Sequence, residues 1–265
     1  MDSLQDIFGT PRPVAVVTGG ARRVGRYLCE ALAASGYRVA IHAHDSIEAA
    51  QELAARFREQ EIEALVVQAD LTQESQVKAM FDQIQWYFGR IDLMINCAAI
   101  WNPTPLTQVT AEDVEAHFRA NVLGTFLCCQ WAGRRMVDQP HGGAIINIGD
   151  WGVARPYPGF SAYFAAKGTI ITLTQDFAVE LAAANPAIRV NAIHPGQVLL
   201  PEDASEQRKQ AIIDSTLVKR LGRPEDVFRA VRFLAESRFV TGVAVPVDGG
   251  RTIYSVGEVN ETVTG

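Results

Sequence analysis

From Val14 to Ala99 the chain alternates short apolar runs with longer segments of helical period: VAVVTG, then RRVGRYLCEALAASG, RVAIHA, SIEAAQELAARFREQ, ALVVQAD, QVKAMFDQIQWYFG and IDLMINCAA. This βαβ rhythm limits the fold more than any other feature. A strand exposed on one face alternates apolar and polar residues, whereas Val14–Val17 and Ile91–Ile95 are apolar almost throughout. Such strands suit a parallel sheet covered by helices on both faces. Further strands expected at Ala144–Ile148, Arg189–Ala192 and Val243–Val247 bring the count to seven. The expected fold is doubly wound α/β with a seven-stranded parallel sheet.

At 265 residues and 48% hydrophobic, the chain can bury one large core. No Ser/Gly/Pro-rich linker divides it, so residues 1–265 read as one domain, with 1–12 and 252–265 as extended tails. The formal net charge is −6 and Lys and Arg are scattered, which argues against a nucleic-acid or anionic-membrane surface and for small-molecule partners. The N-terminus has no basic segment followed by a long apolar stretch, and no apolar run reaches the roughly 18 residues of a membrane helix. A cytoplasmic protein without membrane contact is expected. Cys29, Cys97, Cys128 and Cys129 fit neither a zinc spacing nor a disulfide framework. They read as buried thiols, and no metal site is expected.

The first strand runs directly into TGGARRVG, with Gly19 and Gly20 at the turn and Gly25 inside the next helix. Glycines there let the backbone approach a pyrophosphate at a helix N-terminus, the signature of a dinucleotide site. Asp70 follows the third strand, where its carboxylate either accepts from an adenine amino group or caps a helix beginning near Thr72. Tyr163 and Lys167 stand four apart in a helical run. Such a pair is often only a surface contact. A phenol whose ordinary pKa near 10 is depressed by a close ammonium is, however, the proton donor that hydride chemistry requires. Asp150 precedes Tyr163 by thirteen positions.

TGxxxxxG, NCAA after the fourth strand, Asn121, YxxxK and HPG after the sixth strand together resemble the short-chain dehydrogenase/reductases along nearly the whole chain. The resemblance implies a single Rossmann-type domain, a homotetramer, and hydride transfer between nicotinamide and a carbonyl or imine carbon. It implies Tyr163 as acid, Lys167 lowering its pKa and holding the ribose, and Asn121 supporting a proton-relay water. The implied cofactor contacts are Gly19, Arg22, Arg23, Val24 and Gly25 on the first turn, and His44, Asp45 and Ser46 after the second strand. They continue with Asp70, Leu71, Asn96 and Ala98, then Lys167, Pro195, Gly196 and Val198. His194 has no base partner in this pattern and reads as structural.

That family commonly places serine where Asp150 stands, to donate to a ketone oxygen. An ionised carboxylate cannot donate; it accepts from amino and ring N–H groups or relays a proton. In this respect, and in TGxxxRxG with Arg23 at the arginine, the chain resembles pteridine reductases and bacterial dihydromonapterin reductases. NCAAIWNPTPL resembles their substrate segment, with Trp101 as the ring that sandwiches a pterin against nicotinamide. The implied substrate contacts are Arg23, Trp101, Asp150, Tyr163 and Leu199, and the implied reaction takes a dihydropterin or dihydrofolate-like substrate to its tetrahydro form. Four alternatives stand beside this: Trp101 as core filler, Asp150 as a mere cap of GDWG, a carbonyl reductase of acyl, sugar or polyketide-type substrates, and a sensor that binds NADP(H) without turnover. Val198 and Leu199 also read as the apolar anchor of a lid. Departures are Ala99 and Asn102 in the substrate segment, and Asp45 in HAHDS where the related pattern has arginine. Asp45 suits NAD(H); Arg22, Arg23, His44 and Ser46 suit NADP(H), which is the expected cofactor.

Overall fold

The computed structural model describes residues 2–201 and 203–254. Strands β1 (Val14–Val17), β2 (Arg38–Ala43), β3 (Ala64–Gln68), β4 (Leu93–Asn96), β5 (Gly143–Ile148), β6 (Ile188–Pro195) and β7 (Ala244–Val247) form one sheet. Their order is β3-β2-β1-β4-β5-β6-β7, and every neighbouring pair is parallel. The single α/β domain with a seven-stranded parallel sheet is therefore as expected. Helices α2 (Arg23–Ala34), α3 (Ile47–Glu59) and α9 (Pro224–Glu236) cover one face, where Val17, Ile41 and Ile95 pack against Leu28, Leu53 and Val231. Helices α4 (Glu74–Phe88), α6 (Gly124–Met136) and α7 (Ser161–Ala184) cover the other, where Val16 and Met94 meet Phe81, Cys128 and Phe177. Successive strand residues point to opposite faces, so burial on both sides demands the apolar runs seen in the sequence.

Strand order reverses between β1 and β4, and the crevice outside the carboxyl ends of these strands is where a doubly wound sheet receives a ligand. Asp92, the polar residue just before β4, is buried yet fully engaged. Its carboxylate accepts from Val14 N–H at 2.8 Å and from the Arg90 guanidinium at 2.6–3.0 Å. Arg90 also donates to the Phe8 carbonyl at 2.6 Å, which ties in the chain's beginning.

That beginning is not an extended tail. Residues Leu4–Phe8 form α1, closed by a reciprocal cap between Ser3 and Asp6 and ended by Gly9 at φ +70°. Ile7 and Phe8 are buried, with Phe8 edge-on to Tyr37 at 6.0 Å between ring centres. Five residues are too few to show a helical period, which is why this element was not foreseen. At the other end, Thr252 donates twice to the Asp248 carboxylate (2.5 and 2.6 Å), and Arg155 donates to the carbonyls of Arg251 and Tyr254. Residues 252–254 are thus a tied turn rather than an extended tail; 255–265 lie outside the described residues.

Phe8→Ala is expected to destabilise by about 3–5 kcal/mol, as for other buried Phe truncations, read by urea unfolding. An extended tail would give a change within about 0.5 kcal/mol.

Candidate active site

A cleft of about 760 Å³ runs along the carboxyl ends of the strands. Its first wall is the turn from β1 into α2. Gly19 sits at φ +64°, a left-handed conformation open to glycine, and donates its N–H to His42 Nδ1 at 3.1 Å. A Cβ on Gly25 would lie 2.2 Å from the Gly19 carbonyl, so glycine alone lets the helix start this close to the turn. Arg23 is itself left-handed, at φ +51°. Here an arginine adopts a backbone that glycine adopts freely, and strain of this kind gathers at functional sites. The N-terminus of α2 has no side-chain cap, and its N–H groups face the cleft as an anion cradle.

Arg22, Arg23, Val24, His44, Asp45, Ser46, Asp70, Leu71, Ala98, Lys167, Pro195, Gly196 and Val198 all line this cleft with Gly19 and Gly25. Asp45 extends into solvent, 3.7 Å from His44 Nδ1. Asp70 accepts from Thr72 N–H at 2.9 Å, a local turn rather than the cap of α4, whose cap position is Gln73. Burial works against the Asp70 carboxylate, but its hydrogen bonds with Thr72 outweigh that and its pKa is lowered. Asn96 does not reach the cleft. It is buried, donating to Asn147 Oδ1 at 2.8 Å and to Cys129 Sγ at 3.3 Å, and so joins β4 to β5. Its side chain pairs strands instead of lining the cleft.

Asn121 is held by its neighbours. It lies in a π-helical turn, Phe118–Leu123, between α5 (Ala111–His117) and α6. Its side chain accepts from Ile100 N–H at 2.9 Å and donates to the Ile100 carbonyl at 3.0 Å. The Asn121 carbonyl accepts from the Thr125 hydroxyl at 2.8 Å. The side chain therefore fixes the segment that leads into Trp101. π turns recur at functional sites and leave no periodic trace in a sequence.

Asp150 lies two residues beyond β5, and Tyr163 and Lys167 lie on α7, which packs over β5 and β6. The Tyr163 hydroxyl donates to Asp150 Oδ2 at 2.8 Å, while Asp150 Oδ1 accepts from Gly152 N–H at 2.7 Å. Asp150 thus caps GDWG and holds the tyrosine at once; the two readings were not exclusive. Burial raises the Asp150 carboxyl above the ordinary range, opposed by the Gly152 and Tyr163 hydrogen bonds and by the Lys167 charge. Burial, and then the Asp150 charge, raise the Tyr163 phenol far above its usual value. The phenol is therefore raised, not depressed as expected beside Lys167. Lys167 is buried and donates to the Ile148 carbonyl at 2.7 Å, and burial lowers its ammonium despite the Asp150 charge.

The substrate end is aromatic. Trp101 is 49% exposed, so it is no core filler, and it stacks on Phe160 at 4.8 Å and 18°. Trp151 stacks on Tyr157, and Thr104 N–H donates to the Gly159 carbonyl, joining the two loops that carry these rings. Leu199 and, from α8 (Glu206–Asp214), Arg208 complete the lining. Trp151, Tyr157, Phe160 and Arg208 were not singled out from the sequence. The density of aromatics between Asp150 and Tyr163, in WGVARPYPGFSAY, was the available signal. His194 has a buried Nε2 without a partner among the described residues, and burial lowers its pKa.

Comparison with known proteins is consistent with this geometry. A family model described as enoyl-(acyl carrier protein) reductase, of the short-chain dehydrogenase type, matches residues 19–252. A short-chain type dehydrogenase/reductase of Picea abies is 34% identical over 252 residues, covering 90% of this chain and 92% of that protein. The uncharacterized oxidoreductase YgfF of Escherichia coli is 34% identical over 247 residues, covering 90% and 99%. The 3-oxoacyl-[acyl-carrier-protein] reductase FabG of Staphylococcus aureus is 31% identical over 240 residues, covering 89% and 96%. The crystal structure of a putative gluconate dehydrogenase from Agrobacterium tumefaciens superimposes with a TM-score of 0.86 at 28% identity, over 96% of this chain and all of that one. The chain belongs to the short-chain dehydrogenase/reductase family. It is an oxidoreductase of that family, whose members use a nicotinamide dinucleotide. These relatives support the family at large and do not point to pteridine reductases.

Arg23→Gly separates strain from chemistry. Relief of the left-handed arginine is expected to stabilise the fold by about 1 kcal/mol, seen as a higher melting temperature, while loss of the guanidinium weakens cofactor binding in a fluorescence titration. A fall in stability would show that the backbone at Arg23 is not strained.

Proposed function

We propose that the protein is an NADP(H)-dependent short-chain reductase acting on the carbonyl group of a small polar or acyl compound. The observation that carries this is the Tyr163 phenol, which keeps its proton and presents it at the floor of the cleft, beside Asp150 and one helical turn from Lys167. The cofactor, when bound, supplies hydride to the carbonyl carbon. The residues that would hold it are Gly19, Val24 and Gly25 at the diphosphate, Arg22 and Arg23 between the diphosphate and the adenosine ribose, and His44, Asp45, Ser46, Asp70 and Leu71 at the adenosine. Ala98, Lys167, Pro195, Gly196 and Val198 would hold the nicotinamide ribose end. Arg22 and Arg23 have no acidic partner among the described residues and so are available to a 2′-phosphate, which supports NADP(H) over NAD(H) despite Asp45.

Tyr163 turns from Asp150 and gives its phenolic proton to the carbonyl oxygen; the ammonium of Lys167 stabilises the phenolate left behind. Asp150 takes the place of a hydroxyl donor only when protonated. Its raised pKa extends that form to higher pH than an ordinary carboxyl allows. The apolar faces of Phe126 and Val179, on α6 and α7, and of Phe233, on α9, support association into a homotetramer.

A second reading is favoured by one observation: a carboxylate, not a hydroxyl, stands against Tyr163, in a cleft that half-exposed Trp101 also lines. That combination suits reduction of a C=N bond in a pterin, with ionised Asp150 accepting from substrate N–H groups and relaying the proton. In this reading Trp101, Arg23 and Leu199 also hold the substrate.

The two readings oppose each other in pH dependence. For carbonyl reduction, kcat/KM is expected to fall as pH rises through the Asp150 pKa, and Asp150→Ser to keep activity and abolish that limb. For pterin reduction, kcat/KM falls as pH drops through the same pKa, and Asp150→Ser removes turnover. Oxidation of NADPH and NADH, followed by absorbance with ketones and dihydropterins, reads both. Tyr163→Phe is expected to lower kcat by about 10²–10⁴-fold in either case; unchanged turnover would exclude Tyr163 as the acid.

A further inference from the structure

We infer that His42 is the positioning residue of the dinucleotide site, clamping both glycines of the β1–α2 turn in the geometry that receives the diphosphate. The inference rests on the reading that this cleft takes a nicotinamide dinucleotide.

His42 lies near the end of β2, opposite Val67 of β3, and is buried. Its backbone carbonyl accepts from Gly20 N–H at 2.9 Å, and its ring Nδ1 accepts from Gly19 N–H at 3.1 Å. One residue thus takes the N–H groups of two consecutive glycines. On the far side of the ring, Nε2 lies 3.0 Å from the carbonyl of Ala69, the residue before Asp70. A carbonyl can only accept, so Nε2 must carry the proton, and a Gly19 N–H can only donate, so Nδ1 must not. The imidazole is therefore fixed as the neutral Nε2–H form. Burial favours that form by lowering its pKa, with the neighbouring His44 charge acting in the same direction.

The clamp matters because Gly19 is left-handed and glycine is the residue with most backbone freedom to lose. With Gly19 and Gly20 held from behind, the unpaired N–H groups of the α2 N-terminus face the cleft without ordering on binding. Through Ala69 the same ring links this turn to the β3 end, where Asp70 and Leu71 line the adenosine part of the cleft. His42 itself does not act on substrate; it acts through Gly19.

Two near-isosteric variants separate the two ring contacts. In His42→Asn, Oδ1 replaces Nδ1 and keeps an acceptor for Gly19; in His42→Gln, Nε2–H replaces the ring Nε2–H and keeps the bond to Ala69 while losing the Gly19 acceptor. NADPH and NADH affinities are titrated by fluorescence on full-length wild type and both variants, with melting temperatures measured in parallel. Wild type must bind a cofactor; binding of neither would defeat the dinucleotide reading itself. Given wild-type binding, His42→Asn is expected to stay within about threefold of wild type. His42→Gln is expected to weaken binding about 5- to 10-fold, the scale of one neutral hydrogen bond, at a melting temperature equal to that of His42→Asn. Equal weakening by both, or affinity that merely follows the melting temperature, would make His42 an ordinary core residue. Long-range proton–nitrogen spectra of wild type add a test that needs no variant: a protonated Nδ1 overturns the clamp.

Discussion

The hydrogen bond from the Tyr163 hydroxyl to Asp150 sets what the rest of the cleft can do. It forms in a buried place, so each partner's ionised form is disfavoured: the carboxyl is raised by desolvation, and the phenol is raised by desolvation and by the carboxylate it faces. A proton is consequently retained at the floor of the site. Lys167 keeps its ammonium on the Ile148 carbonyl, one helical turn from Tyr163; in the proposed function it answers the negative charge left when Tyr163 loses that proton. In a short-chain oxidoreductase, where negative charge develops on the substrate heteroatom during hydride delivery, a retained phenolic proton is the resource the chemistry draws on.

The sheet supplies the other half of the site. Reversal of strand order between β1 and β4 opens a crevice, and the glycine turn above it presents backbone N–H groups to an anion. The charged groups lining the cleft include Arg22 and Arg23 at the glycine turn, Asp150 and Lys167 beside Tyr163, and Arg208 from α8. Asn121 and the Thr104–Gly159 hydrogen bond hold the aromatic wall in place from behind, so the segment carrying Trp101 is fixed to α7's own approach loop.

What could be read directly from the residues was whatever repeats or whatever is sterically unavoidable. Apolar runs had to be buried strands, and Gly19 and Gly25 had to mark a close approach. Tyr163 and Lys167 were legible because one helical turn separates them. The orientation of Asn96 was not legible, because a polar side chain at a strand's end can point along the sheet as readily as into the crevice, and only the partner strand, through Asn147, decides which. The helix at Leu4–Phe8 was too short for a period. The depressed phenol was expected from the proximity of Lys167 alone, whereas burial and Asp150 act on Tyr163 more strongly. His42 was hidden by its neighbour: His44, two residues on, matched a known pattern, while the significance of His42 arises only once β1 lies beside β2.

The central claim is that burial holds the Asp150 carboxyl above the ordinary range despite its hydrogen bonds with Gly152 and Tyr163. Carboxyl carbon-13 NMR of protein labelled in aspartate, titrated in wild type and in Asp150→Asn to identify the signal, measures it directly. The signal lost in the variant is predicted to titrate above the usual aspartate pKa of about 3.9. Titration at or below that value would mean that Asp150 is ionised throughout, and would contradict the account.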